Sequence, residues 1–330
     1  MSRELHSTGY RIVTHLMLLG ATFFWGINPM LMKVGLRELS PLHFNLLRLI
    51  IALIITIPFV LAEGGFARIR KADIPRFAAV SVFGFFIFQI GYSYGVNYTS
   101  ASVSSILLGL LPISVVIINR LIGNRDITKL KLLGVAGTLV GVVLIALGKY
   151  SGLSLADTYI SGVLLLVVAE LGYGTYTVVV KPLTAHYSVS QIIAVIIAVS
   201  IVMFALFSIP TLSELSLTEI SPLTYLTTAT SGLLALSVGN MLWSAGIKRI
   251  GSVNTSVYGN LPPVFGVAAG LLVLGESLSP LQILGALVIL GGVFLVNSRR
   301  ASAAPPDPSH NSLKDNPKAT DSARTKEPTL

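Results

Sequence analysis

Glu170 is the residue with the most pointed chemistry in this sequence. It falls near the centre of a long apolar stretch, residues 159–181. A lone carboxylate is costly at membrane depth unless it faces protein or a wet cavity. In such a place it suits a proton carrier, or a partner for a solute ammonium group. Tyr173 and Thr177 follow at helical spacing and share its face. The same Glu, read without function, is a neutral group hydrogen-bonded to a neighbouring helix. Arg48 is the basic counterpart, one turn from Asn45 inside the apolar stretch 42–62. Either it draws a carboxylate or phosphate inward, or it snorkels to the nearer membrane edge. Arg48 and Glu170 together fit a zwitterionic solute, or simply each other.

Other polar and aromatic side chains recur at helical spacing within apolar stretches: Trp25 with Asn28, Gln89 with Tyr92, and Asn240 with Trp243, followed by Tyr258 and Asn260. Buried amides without partners are expensive, so these groups bridge helices or line a cavity. A cavity with aromatic faces and a few amides holds a small amphipathic solute. With Arg48, Glu170 and Tyr173 they form the expected substrate-binding set, and Glu170 is the expected proton-coupling residue. Pro112 and the pair Pro262 and Pro263 remove backbone donors in the middle of two stretches and are expected gating points. Gly91-x-x-x-Gly95, Gly137-x-x-x-Gly141 and Gly266-x-x-x-Gly270 are expected to serve helix packing.

Several chemistries are excluded. The absence of cysteine removes disulfides, thiolate metal sites and a cysteine nucleophile. Neither a GxxxxGK[ST] loop for ATP nor an HExxH zinc motif occurs, and the five histidines lack metal-ligand spacing. No Ser/His/Asp arrangement can be defended. The expectation is therefore a protein that is not an enzyme and uses no cofactor or metal.

These groups need elements to position them, and composition says which. The chain has 330 residues, 53% of them hydrophobic and 11% charged, with a mean hydropathy of +0.80. Soluble domains carry roughly 25% charged residues, so this is a polytopic membrane protein. Its net charge of +9 bears on membrane orientation and not on nucleic acid. Apolar stretches near 12–33, 42–62, 75–96, 100–121, 130–149, 159–181, 188–208, 222–245, 252–274 and 279–297 predict ten transmembrane helices. With the N-terminus inside, nineteen Lys and Arg fall on inner segments or the tail and three on outer ones, which predicts both termini in the cytoplasm. Residues 1–11 are then a cytoplasmic N-terminus and 298–330 a disordered cytoplasmic tail.

The halves 12–149 and 159–297 carry faint copies of one another. Tyr92, Gly95, Ser105, Pro112, Gly134, Gly141 and Val142 match Trp243, Gly246, Ser256, Pro263, Gly285, Gly292 and Val293 at a constant offset of 151. Five helices per copy predict two inverted five-helix repeats, a recurring device of secondary transporters.

The strings WGINPMLMKVG at 25–35, YTSASVSSILLGLLP at 98–112, NMLWSAGIKRIGSVNTSVYGNLPPVFG at 240–266 and LGESLSPLQILGALVILGGVFLV at 274–296 resemble the EamA family of the drug/metabolite transporter superfamily. The resemblance covers residues 12–297. It implies a cavity between the repeats, alternating access, and export of amino acids and other small metabolites. One departure stands out: Gly123-Asn124 occupies the place that Gly275-Glu276 holds in the second half. The expected protein is a multi-pass transporter of the cytoplasmic membrane that exports small, amino-acid-like or amphipathic metabolites, with protons as a candidate coupling ion. Its expected partners are a small-molecule substrate and membrane lipid but no nucleic acid. A monomer is the expected functional unit, with a dimer left open. A membrane pore or lipid scramblase without alternating access is the alternative.

Overall fold

A computed structural model describes residues 8–123, 129–148 and 153–297. All regular elements among them are helical. We number them α1 (Thr8–Gly35), α2 (Pro41–Ala62), α3 (Lys71–Tyr98), α4 (Ala101–Leu108), α5 (Leu111–Leu121), α6 (Lys129–Leu147), α7 (Leu153–Val179), α8 (Val189–Ser208), α9 (222–250), α10 (Ser252–Ser256), α11 (Pro262–Val273) and α12 (Pro280–Asn297).

Serine starts many of these helices. The hydroxyls of Ser40, Ser100, Ser188 and Ser221 accept hydrogen bonds from the backbone N–H groups of His43, Val103, Gln191 and Thr224, and Pro41 and Pro222 take the first helical position. Two helices change pitch in mid-course. α3 is π-helical over Val80–Phe86, and α9 over Ser231–Gly239. Such wide turns are rare and cluster at functional sites.

Ten spans are not what the structure shows. Among the described residues six helices are long and apolar enough to cross a membrane, or seven if the pair α4 and α5, bent by 42°, counts as one span. The physical reasons differ from place to place. The expected fourth span breaks at Gly109-Leu110. α6 and α12 contain apolar runs of only 10–17 residues. α9 is a continuous helix, but its Thr, Ser and Asn content leaves it short of the apolarity of a simple span. Nor is a two-fold arrangement of inverted five-helix repeats evident: with six or seven such helices among the described residues, five per half are not present. The tail and most of the N-terminal segment lie outside the described residues.

The helices pack around two buried clusters. One gathers Leu49, Phe85, Tyr176, Phe204 and Trp243; the other gathers Phe44, Leu107, Ile145, Val163 and Ile289. The outer surface is also apolar, with Leu16, Ile54, Leu139, Val202, Leu206 and Leu272 exposed, as a lipid-facing surface requires. α6 and α12 cross at glycines. A Cβ on Gly141 would sit 2.7 Å from the Gly285 carbonyl oxygen, and one on Gly134 would sit 2.5 Å from that of Gly292. Gly137 meets open space, so the Gly134 and Gly141 pair packs this crossing and the Gly137-x-x-x-Gly141 pattern does not.

Candidate functional site

A cavity of about 30 Å³ lies where α1, α3, α7 and α9 meet the broken helices α4–α5 and α10–α11. Seven of the residues singled out as substrate-binding line it: Trp25, Asn28, Gln89, Tyr92, Glu170, Tyr173 and Asn240. Pro262, a candidate gating residue, lines it as well.

Its aromatic wall is ordered by ring packing and hydrogen bonds. Trp25 meets Tyr173 edge-on with centroids 5.2 Å apart, and Phe88 stacks on Tyr92 at 5.1 Å. The Tyr173 hydroxyl donates to Asn240 Oδ1 at 2.6 Å, while Asn240 Nδ2 donates to the Leu236 carbonyl at 2.9 Å. Trp25 Nε1 donates to the Ala235 carbonyl at 3.2 Å. That carbonyl lies in the π-helical part of α9, where wide turns free backbone acceptors for side chains.

Three polar atoms at this cavity are buried without a hydrogen-bond partner: Gln89 Nε2, Tyr92 Oη and Glu170 Oε2. Buried polar atoms are nearly always paired, and three orphans around one void mark a place for a polar guest.

Other candidates sit elsewhere. Trp243 is fully buried behind the wall, its ring 4.8 Å from that of Trp25 and its Nε1 donating to Thr177 Oγ1 at 3.3 Å. Tyr258 and Asn260 line a separate, wider cleft of about 860 Å³ together with Tyr10, His15 and Arg249. There His15 Nδ1 and the Tyr258 hydroxyl are hydrogen-bonded. Gly259 and Pro262 line the inner cavity, whereas Tyr258, Asn260 and Leu261 line the cleft, so residues 258–262 form the partition between the two. Pro112 and Pro263 flank this region in the first turns of α5 and α11, where a missing N–H costs nothing.

Arg48 neither snorkels nor pairs with Glu170. Its side chain has no exposure at all. Nε donates to Asn45 Oδ1 at 2.8 Å, Nη1 to Ser231 Oγ at 3.0 Å and Nη2 to Gln89 Oε1 at 2.6 Å. Among the described residues the ion pairs join Asp73 to Arg70 and Arg76. No local signal in the sequence marks Ser231, since its partners Arg48 and Asn28 lie 183 and 203 residues away. Phe88, which also lines the cavity, is likewise unmarked in the sequence.

At the far end of α1 a carboxylate closes over the start of α4, beside a surface pocket that Lys33 and Glu276 line. Glu276 accepts the backbone N–H groups of Ala101 and Ser102 at 2.7 and 2.8 Å and the Ser102 hydroxyl at 2.6 Å. This carboxylate caps α4 where two orphan donors and the helix dipole favour negative charge. Lys33 donates to the Asn97 carbonyl nearby at 3.0 Å.

Comparison with known proteins agrees with this architecture. The model of the EamA-like transporter family matches residues 12–147 and 160–298. An Archaeoglobus fulgidus protein named "Uncharacterized transporter" is 26% identical over 280 residues, 84% of this chain and 96% of its own. A Salmonella typhimurium protein named "Probable amino-acid metabolite efflux pump" is 22% identical over 279 residues, covering 82% of this chain and 90% of its own. A Streptantibioticus cattleyicolor protein named "Probable terminal-alkyne amino-acid exporter" is 24% identical over 269 residues, covering 81% and 87%. One solved crystal structure superposes with a TM-score of 0.63 at 18% identity, over 88% of this chain and 99% of that one, and so shares its fold.

Proposed function

The chain belongs to the EamA-like transporter family, whose members are membrane transporters and not enzymes, and from that premise we propose that it exports small, amino-acid-like or amphipathic metabolites across the cytoplasmic membrane by alternating access. The observation that carries the reading is the cavity itself. It combines aromatic faces with the orphaned polar atoms of Gln89, Tyr92 and Glu170. A small solute with an apolar body and polar ends would satisfy all of them.

Alternating access is supported by the unequal ends. One is sealed by the Glu276 cap and close helix packing; the other opens into the wide cleft, with residues 258–262 between cleft and cavity. Solute enters the cavity from the cytoplasm, occludes beside Glu170, and leaves when the sealed end parts. Glu170 is the group for proton exchange, since it is the carboxyl at the cavity with an unpaired oxygen. The relatives named as amino-acid metabolite pump and amino-acid exporter point to the same solute class.

The test compares metabolites inside and outside cells expressing the intact chain with those carrying empty vector. A specific amino-acid-like compound accumulating outside only with the intact chain is the expected result. Non-saturating leakage of many solutes, or movement of lipid, would replace the reading with a pore or scramblase.

A further inference from the structure

We propose that Arg48 is a positioning residue that sets the hydrogen-bond polarity of one cavity wall, making that wall select for solutes that present an acceptor oxygen. The inference rests on the transport reading but comes from a separate set of contacts.

Arg48 is buried completely, and three of its nitrogens are spoken for by neutral groups: Asn45, Ser231 and Gln89. A guanidinium donates only and cannot accept. The Gln89 amide therefore has no freedom in its orientation. Its oxygen must face Nη2 at 2.6 Å, and its NH₂ group must be the end left without a partner at the cavity. Side-chain amides are otherwise ambiguous between their two ends, but here the cation removes the ambiguity.

The same polarity propagates through Ser231. Its hydroxyl oxygen accepts from Nη1 at 3.0 Å, so its proton is committed to Asn28 Oδ1 at 2.6 Å. Asn28 in turn directs its NH₂ to Met32 Sδ at 3.2 Å. Two amides of the wall, on α1 and α3, are thus both oriented by one cation on α2. A Cβ on Gly232 would lie 2.6 Å from the Arg48 carbonyl oxygen, so α9 approaches closely enough to bring Ser231 within reach.

A buried cation without a carboxylate partner is costly unless something compensates it. A carbonyl or carboxylate oxygen of the solute, taken by Gln89 Nε2, would do so through the polarised amide. Glu170 Oε2, orphaned at the same cavity, is left for a donor on the solute. The wall rejects a solute without an acceptor because Gln89 then remains unpaired.

Two measurements on purified full-length protein test this. The first is thermal stability of Gln89→Glu. With Arg48 facing position 89, the new carboxylate forms a buried ion pair, and the melting temperature should rise by about 2–4 °C, whereas Gln89→Leu and Arg48→Met should lower it. A fall in Gln89→Glu comparable to that in Gln89→Leu would overturn the Arg48–Gln89 geometry. The second is the melting shift produced by leucine against that produced by isopentylamine, which has the same apolar body and amine but no carboxylate. Wild type should favour leucine by on the order of tenfold in apparent affinity, the effect of one hydrogen bond. That preference should vanish in both Gln89→Glu and Arg48→Met; its survival in both would overturn the proposal. If wild type binds neither probe, the amino-acid reading of the function fails, and the positioning role is then decided by the stability of Gln89→Glu alone.

Discussion

Two buried carboxyl groups in this molecule have opposite fates. Asp73 accepts from Arg70 Nε at 2.7 Å and from the Tyr187 hydroxyl at 2.8 Å, with Arg76 at 3.4 Å, so its charge is fully engaged in holding the start of α3. Glu170 has an oxygen without any partner, at the edge of the central cavity. A carboxyl held like Asp73 is structural; one left like Glu170 is available to a solute or a proton. Glu170→Gln preserves shape and removes the titrating group. It should abolish accumulation driven by a pH gradient, which one-for-one proton exchange limits to about tenfold per pH unit, while sparing solute–solute exchange. Both fluxes are read in vesicles with and without an imposed gradient, and proton-driven accumulation equal to wild type would remove Glu170 from coupling. Position in an apolar stretch was enough to single out Glu170 from sequence. The same signal misjudged Arg48, whose nearness to a helix end suggested snorkelling. Its partners Gln89 and Ser231 come from other helices 41 and 183 residues away, and that convergence has no local trace.

Among the elements, α1, α4 and α11 approach one another closely at Gly266. A Cβ on Gly266 would fall 1.9 Å from Ser105 Oγ and 2.5 Å from the Gly26 carbonyl oxygen. Gly266→Ala should therefore destabilise the fold by about 1–3 kcal/mol through overpacking, measured by thermal or denaturant unfolding. Adding Ser105→Gly should recover only part of the loss, because the Gly26 backbone remains in the way; no recovery at all would mean that the Ser105 contact is unimportant. A second joint links the loop after α1 to the start of α9, where the Ser221 backbone N–H donates to Glu38 at 2.8 Å. That hydrogen bond holds the exposed Glu38 carboxyl below its usual range. A depressed pKa stabilises above the ordinary carboxylate range and ceases to do so as pH falls through the lowered value. The joint should loosen only in acid, seen as faster backbone hydrogen exchange at the start of α9, and Glu38→Gln should remove that pH dependence. The sequence showed the proline-marked interruptions in this bundle, since Pro112 and Pro262 do begin new helical segments. The π-helical turns over Val80–Phe86 and Ser231–Gly239 are not legible, because no residue pattern in the sequence marks them.

Across the whole molecule, apolarity alone gave the membrane class correctly but counted too many spans. Hydropathy averages over α4 and α5 as if they were one straight helix, and it does not distinguish a short helix packed on glycines, such as α6 or α12, from one that crosses unaided. What the assembled bundle adds is asymmetry between its ends, and this can be tested directly because the chain contains no cysteine. Asn254 is exposed in the wide cleft, whereas Ser102 is fully buried beneath the Glu276 cap at the opposite end. In a cysteine-free background, Asn254→Cys should react rapidly with a water-soluble thiol reagent, and Ser102→Cys should be protected. Adding a transported solute should move the two in opposite directions, since a carrier opens one end as it closes the other. The protected position gains reactivity only in the state that the solute helps to populate, so the size of the change follows the solute's differential affinity for the two states. A continuous pore leaves both sites reactive whatever the solute, and a rigid scaffold leaves both unchanged. Reciprocal changes in labelling rate, saturating with solute concentration, are the signature that only alternating exposure produces.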